Sequence, residues 1–279
     1  MQKILVTTDF STPSKAGLRF AVRLAAQMNA ELIFFHCFQA LIPTAVQRER
    51  IENPLQRQTA DHLRKLEKFV AGVYKSLKTS PGAYRCVVVE DLNPGKAILE
   101  HARRLEAGFI CISTRGAGGL GKILGTHTSN LLHKSPLPVL VVPHTYRIRQ
   151  IKKVLYASDI ENIETEMQIV CRLAGLMGVR TDLAHFYYLN ELKPDPKTLA
   201  ALWQRQFECL DQVYLDRLDG NFAIQMNRLI EKIKPAVVVF FTHTNKNWFD
   251  RMFAASRSEA FSFMTNVPLL VYRKTSGND

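Results

Sequence analysis

Residues 113–126 read Ser-Thr-Arg-Gly-Ala-Gly-Gly-Leu-Gly-Lys-Ile-Leu-Gly-Thr and hold five of the chain's 14 glycines. They stand between a strand-like run, Gly108–Ser113, and a short helix-like run, Thr126–His133. Glycines in that place let backbone N–H groups close on a ligand, and the following helix adds its free N-terminal N–H groups and dipole. The chemistry this predicts is binding of an anion, phosphates above all. Two phosphate fingerprints match by letters and fail by context. Gly116-Ala-Gly118-Gly-Leu-Gly121 satisfies GxGxxG, but the dinucleotide fingerprint follows the first strand of its unit and has an acid about 20 positions on. Here it follows the fourth strand, and residues 134–142 contain no acid. Gly116 to Lys122 begins like a P-loop, but Ile123 stands where Ser or Thr would hold Mg²⁺.

Other residue types offer less. No nucleophile is spaced to meet a base and no acid pair has useful spacing, so no catalytic residue is assigned. The five cysteines (Cys37, Cys86, Cys111, Cys171, Cys209) are odd in number and form no CxxC, and the first three lie in apolar strand-like runs. They read as buried, reduced thiols. No His/Cys cluster has metal-ligand spacing. His36 and His185 end apolar strands and read as structural. Asp9, followed by Ser11 and Thr12, reads from the residues alone as a helix cap.

The elements that must position the loop come in two copies. Lys3-Ile-Leu-Val-Thr-Thr-Asp9 is echoed by Lys153-Val-Leu-Tyr-Ala-Ser-Asp159, Arg23-Leu24-Ala25 by Arg172-Leu173-Ala174, and His36 by His185. Pro138-Val-Leu-Val-Val142 returns as Pro268-Leu-Leu-Val-Tyr272. Four landmarks in one order imply a duplicated unit, with a long stretch from Gln39 to Ser80 in the first copy and a compact one in the second. Each copy alternates strand and helix, and its strands are continuous apolar runs, as parallel strands buried on both faces require. The fold expected is α/β, two doubly wound parallel-sheet, Rossmann-like domains in tandem, residues 1–146 and 147–279. The final strands, Leu137–Val142 and Pro268–Tyr272, are apolar where an exposed edge should not be.

Composition fits this picture. In 279 residues the apolar fraction is 47 % and no run is long enough to span a membrane. Met1-Gln2-Lys3 leads directly into strand residues with no signal-peptide layout, so a cytoplasmic protein is expected. The net charge is +12, of which +9 falls in the first copy. The basic residues are scattered, with no run longer than two, which argues against nucleic acid.

The order of strand, Thr-Asp-Phe-Ser, helix, late glycine loop and Pro-Val-Leu-Val-Val resembles the universal stress protein family, in its tandem form, over essentially the whole chain. The resemblance implies the adenine-nucleotide alpha hydrolase-like fold, with the final strands Leu137–Val142 and Pro268–Tyr272 paired about a pseudo-twofold axis as an intramolecular pseudo-dimer. ATP-binding members carry Gly-x2-Gly-x9-Gly-Ser/Thr; this chain has Ser113-x2-Gly116-x8-Gly125-Thr126. Carried over by position, Thr7 and Asp9 would lie near the ribose, and Cys37 would offer backbone groups to the adenine. Gly116, Gly125, Thr126 and His127 would bind phosphates, with Ser113 at the start of the loop and Arg115 and Lys122 adding charge. Asp9 could hold Mg²⁺ through the nucleotide, allowing at most slow hydrolysis. The second copy has Thr242-x2-Asn245-x9-Ala255-Ser256, with Trp248, Phe249, Met252 and Phe253 in the loop, and is expected to bind no ATP.

The leading reading is therefore a stress-response protein that binds ATP in its first domain, its second domain being degenerate and structural or regulatory. The alternative is a scaffold that binds partner proteins or an apolar small molecule. An ATPase or nucleotide-activating enzyme is a third class. The partner proteins, the stress signal and any further homodimer stay open.

Overall fold

In a computed structural model of the chain, residues 1–40, 54–114, 131–132, 134–187, 195–242 and 266–274 are described. The first half runs β1 (Lys3–Thr7), α1 (Ser14–Met28), β2 (Glu31–Phe38), α2 (Pro54–Leu77), β3 (Tyr84–Glu90), α3 (Pro94–Arg104), β4 (Phe109–Ser113) and β5 (Val139–Val142). The second runs β6 (Lys153–Ala157), α4 (Ile163–Met177), β7 (Arg180–Tyr187), α5 (Pro196–Gln206), β8 (Leu210–Arg217), α6 (Phe222–Ile233), β9 (Val237–Thr242) and β10 (Leu269–Arg273). The glycine loop and residues 243–265 of the second half lie outside the described residues.

All ten strands join one sheet in the order β3-β2-β1-β4-β5-β10-β9-β6-β7-β8. Each half is parallel and doubly wound with the same internal order; only the β5–β10 pair is antiparallel. That pair bears out the pseudo-dimer expectation. Leu140 faces Leu270, while Val139 faces Val271 and Val141 faces Leu269. Leu140 and Leu270 are equivalent positions of the repeat, so the contact is self-complementary about an axis through them, as a twofold interface must be. All four β5 residues are buried, which answers why an edge would carry them. The helix layer also crosses the seam: the Gln27 amide donates to the Ile151 and Met177 carbonyls at 2.9 and 2.6 Å.

Alternation along the strands divides the core in two. Ile4 and Val6 pack on the α1–α2 side, and Leu5 on the α3 side. The longer α2, 24 residues against 11 in α5, matches the long middle stretch of the first copy.

Two expectations need correction. Cys171 and Cys209 form a disulfide, with Cα atoms 5.3 Å apart, while Cys37, Cys86 and Cys111 are free. Cys171 lies on α4 and Cys209 in the turn before β8; the fold brings them together although 38 positions separate them. In the alternation of strand and helix Pro196–Leu210 is expected as one element, yet the helix ends at Gln206, Phe207 turns extended, and Leu210 opens β8.

Candidate functional site

In each half the turn after the first strand is built by short polar side chains. Thr8 Oγ1 shares a hydrogen bond with Ser14 Oγ (2.8 Å) and accepts from the Phe10 N–H (3.0 Å). Phe10 sits in the left-handed region at φ 63°, an unusual place for an aromatic residue. Asp9 stands at the tip, exposed, its Oδ1 accepting from the Ser11 N–H at 3.0 Å. His36 Nδ1 lies 2.8 Å from the Thr8 carbonyl. A carbonyl only accepts, so Nδ1 carries the proton and Nε2 is left to accept from His62 Nδ1 at 3.1 Å.

Thr7, Asp9, Cys37 and Ser113 stand at or just past the carboxyl ends of the neighbouring strands β1, β2 and β4. The strand order reverses between β1 and β4, and open α/β sheets bind ligands in the crevice there. Thr7 falls on the Leu5 side of β1, and Cys37 packs on that same side of the sheet. Thr7–Phe35 is the last pair in the β1–β2 register, and the Phe35 carbonyl accepts from the Thr8 N–H. Alternation then points the Cys37 N–H and carbonyl toward the same side, past the end of β1. Its thiol donates to the Asp91 carbonyl (3.5 Å), and burial, helped by the Asp91 charge, pushes its pKa up to about 11. Cys37 is thus suited to backbone contacts and not to thiolate chemistry. Ser113 is turned the other way. Its hydroxyl accepts from the Gly17 N–H (2.8 Å) and donates to the Ser14 carbonyl (3.1 Å), both in the first turn of α1. Arg115, Gly116, Lys122, Gly125, Thr126 and His127 lie outside the described residues.

The second half repeats the turn. Ser158 Oγ accepts from the Ile160 N–H, Asp159 Oδ1 from the Glu161 N–H, and His185 Nδ1 lies 2.9 Å from the Ser158 carbonyl; Ile160 has φ 62°. Asp159 is held by a lysine. The Lys274 ammonium, on a side chain only 3 % exposed, lies 2.6 Å from Asp159 Oδ2 and 3.4 Å from both Glu161 Oε2 and Glu166 Oε1. Tyr156, fully buried, donates to the other Glu166 oxygen and accepts from Ser158 Oγ. Burial raises the Glu166 carboxyl above the usual range, against the opposing pull of Tyr156 and Lys274. For Lys274, burial works to lower the pKa, but the Asp159 hydrogen bond and the three carboxylate charges outweigh it and raise it. A cation of the chain itself therefore occupies the space beside the second Asp.

Residues 1–143, just over half of the chain, match the sequence profile of the Universal stress protein family. The chain belongs to the universal stress protein family. Among solved structures, a universal stress protein from Archaeoglobus fulgidus DSM 4304 superposes with a TM-score of 0.69 at 15 % identity, covering 98 % of each chain. A putative universal stress protein from Pseudomonas aeruginosa UCBPP-PA14 gives 0.63 at 17 % identity, over 98 % of this chain and 93 % of the other. A universal stress protein in complex with cAMP aligns with 50 % of this chain and 95 % of its own, at 22 % identity and a TM-score of 0.37. No curated protein sequence matches.

Within this universal stress protein, the partners of the second Asp escaped the sequence reading. Lys274 lies 115 positions from Asp159, and Glu166 looks like an ordinary first-turn acid of α4. One signal was present: a Tyr in the middle of an apolar strand run needs a buried hydroxyl partner. In the aromatic group of the second copy, Phe240 and Phe241 are core, and Phe241 stacks on Tyr272 with centroids 4.9 Å apart. Thr242 is buried and its hydroxyl approaches the Tyr272 carbonyl at 3.4 Å. No helix among the described residues is long and apolar enough to cross a membrane.

Proposed function

We propose that the first half, residues 1–146, binds an adenine nucleotide, ATP in the first instance, at the carboxyl ends of β1, β2 and β4. The second half, residues 147–279, is a structural or regulatory partner that binds none. The observation that carries this reading is the placement of Thr7, Asp9 and Cys37 at the carboxyl ends of β1 and β2, beside the point where the strand order reverses. In the second half the buried Lys274 is paired with Asp159 at the equivalent turn.

In the first half Thr7 and the Cys37 backbone would hold the nucleoside. Gly116, Gly125, Thr126 and His127 would donate to the phosphates, with Arg115 beside them. The described residues contain no group of three or more metal-ligating side chains. Mg²⁺ fits only as it binds with nucleotides generally, through one carboxylate, here Asp9, plus phosphate oxygens and water. The protein is read as cytoplasmic, a compartment whose thiol pool would act on the Cys171–Cys209 bond.

Calorimetry of the full chain with ATP tests this, together with mass spectrometry of nucleotide carried through purification. The expected stoichiometry is one per chain. Gly125→Val places a branched side chain where phosphate oxygens should sit and should weaken binding at least tenfold, about 1.4 kcal/mol. Ala255→Val should leave it unchanged. A folded Gly125→Val protein that binds ATP like the parent would reduce the loop to a connector and favour the scaffold reading.

A further inference from the structure

A second cleft lies away from the strand ends, between α1 and α2, with a volume of about 340 Å³. That is in the range of small-ligand sites. Lys15 and Arg19, one turn apart on α1, face Lys65 and Lys68 of α2 across it. Among the described residues no acid lines the cleft and none of the four cations is ion-paired. Of the acids of α2, Asp61 pairs with Arg64, and neither it nor Glu67 lines the cleft. Four like charges around one recess repel one another.

Three further observations point to an occupant. Arg19 Nε is buried and has no hydrogen-bond partner among the described residues, and a buried donor left unmade is costly. Two of the lysines are held over aromatic faces: Lys15 Nζ is 5.5 Å from the Phe69 ring centre and Lys65 Nζ 4.5 Å from that of Phe10. The recess itself is apolar. Phe69 and Val73 line it beside Gly72, a glycine inside a helix whose missing side chain would meet nothing within 4 Å. Glycine there forgoes helix propensity and leaves room.

We propose that this cleft binds a small phosphorylated organic molecule, its anionic group on Arg19 and the lysines and a flat apolar group against Phe69 in the space over Gly72. The inference goes beyond the nucleotide reading and does not depend on it. A concave recess that holds a half-buried arginine with a buried, unpartnered Nε suits a small ligand. A nucleic-acid backbone would ask instead for a row of exposed cations along a surface.

The test uses the full chain and 1-naphthyl phosphate, a dianion on a flat ring, followed by its fluorescence at low salt. Saturable one-site binding is expected, with competition by inorganic phosphate and none by 1-naphthol. Arg19→Gln and Gly72→Leu should each weaken it at least tenfold. Gly72→Leu enters open space and should keep the parent circular dichroism spectrum and melting temperature. Absence of saturable binding overturns the proposal, as does binding that survives both substitutions, which would report another site. A single-stranded oligonucleotide whose binding falls with Lys65→Ala and Lys68→Ala but not with Gly72→Leu would assign the cations to nucleic acid and overturn it too.

Discussion

Ser113, at the end of β4, and Gly17, in α1, fit each other: a Cβ built on Gly17 would overlap the Ser113 hydroxyl, and that hydroxyl accepts from the Gly17 N–H. The family pattern has glycine where this chain has Ser113. The added hydroxyl is taken up by the first turn of α1, whose backbone N–H and carbonyl groups it satisfies, and it is directed away from the Thr7 side of the sheet.

Gly17→Ala should therefore destabilise the fold by about 1–3 kcal/mol, the usual cost of forced overpacking, even though alanine favours a helix. Ser113→Gly should cost about 1–2 kcal/mol through two lost hydrogen bonds. The double substitution should be better than the sum by at least about 1 kcal/mol, because the overlap vanishes with the hydroxyl. Urea denaturation of the four proteins checks this; additive losses would show that the two residues do not interact.

The His36–His62 pair predicts a pH dependence. Burial lowers both pKa values, with the Lys65 charge acting the same way, while Asp9 on His36 and Asp61 on His62 oppose it. Folding thus favours the neutral rings. Their contribution is present above the unfolded value of about 6.5 and is lost as pH falls through the lower folded values. A proton on His36 Nε2 would also set donor against donor at His62 Nδ1. Unfolding free energies measured between pH 7.5 and 5 should fall in the parent and fall less in His62→Phe. Parallel curves for the two proteins would remove the pair as the cause.

The sequence makes the sheet legible because parallel strands buried on both faces are continuous apolar runs, whereas β5 against β10 follows from the family resemblance, which their apolar residues support. It fails where the deciding partner is distant. Leu199, Trp203, Phe207 and Leu210 have helical spacing and are buried or half-buried, yet Phe207 leaves the helix and starts the turn that carries Cys209. For the site, Thr7, Asp9 and Cys37 are legible as residues at or near strand ends. The side on which Ser113 spends its hydroxyl depends on Gly17, 96 positions away. The pairing of Lys274 with Asp159 depends on β10 reaching its place in the sheet.

The Cys171–Cys209 bond closes a loop of 38 residues, for which chain entropy gives about 4 kcal/mol, within a usual range of about 0–5 kcal/mol. Dithiothreitol should lower the urea midpoint of the parent, Cys171→Ser should match the reduced parent, and reductant should not lower that variant further. Alkylation under denaturing conditions without reductant should label three cysteines. Five labelled cysteines in protein from an oxidising preparation would mean that the bond does not form.

Lys274 gives the sharpest test of the second half. Its ammonium is buried, and Glu166 beside it is 4 % exposed, so removing the cation leaves a carboxylate with neither water nor counter-charge. Breaking such a pair from one side costs about 3–5 kcal/mol, whereas neutralising both sides can be nearly neutral. Lys274→Met should therefore lose stability in that range at pH 7, and Lys274→Met with Glu166→Gln should recover most of it, with Tyr156 still donating to the glutamine oxygen. The single variant should also gain a pH slope. The folded pKa of Glu166 is already raised, and without Lys274 it rises further, so folding retains a proton that the unfolded chain releases. Stability of Lys274→Met is then lost as pH rises from the unfolded carboxylate value toward that higher folded one, and the double variant lacks this slope. Chemical denaturation from pH 4.5 to 8 measures both effects. A loss below about 1 kcal/mol with no change in slope would mean that Asp159 and Glu161, the more exposed partners, hold the ammonium and that Glu166 relies on Tyr156 alone.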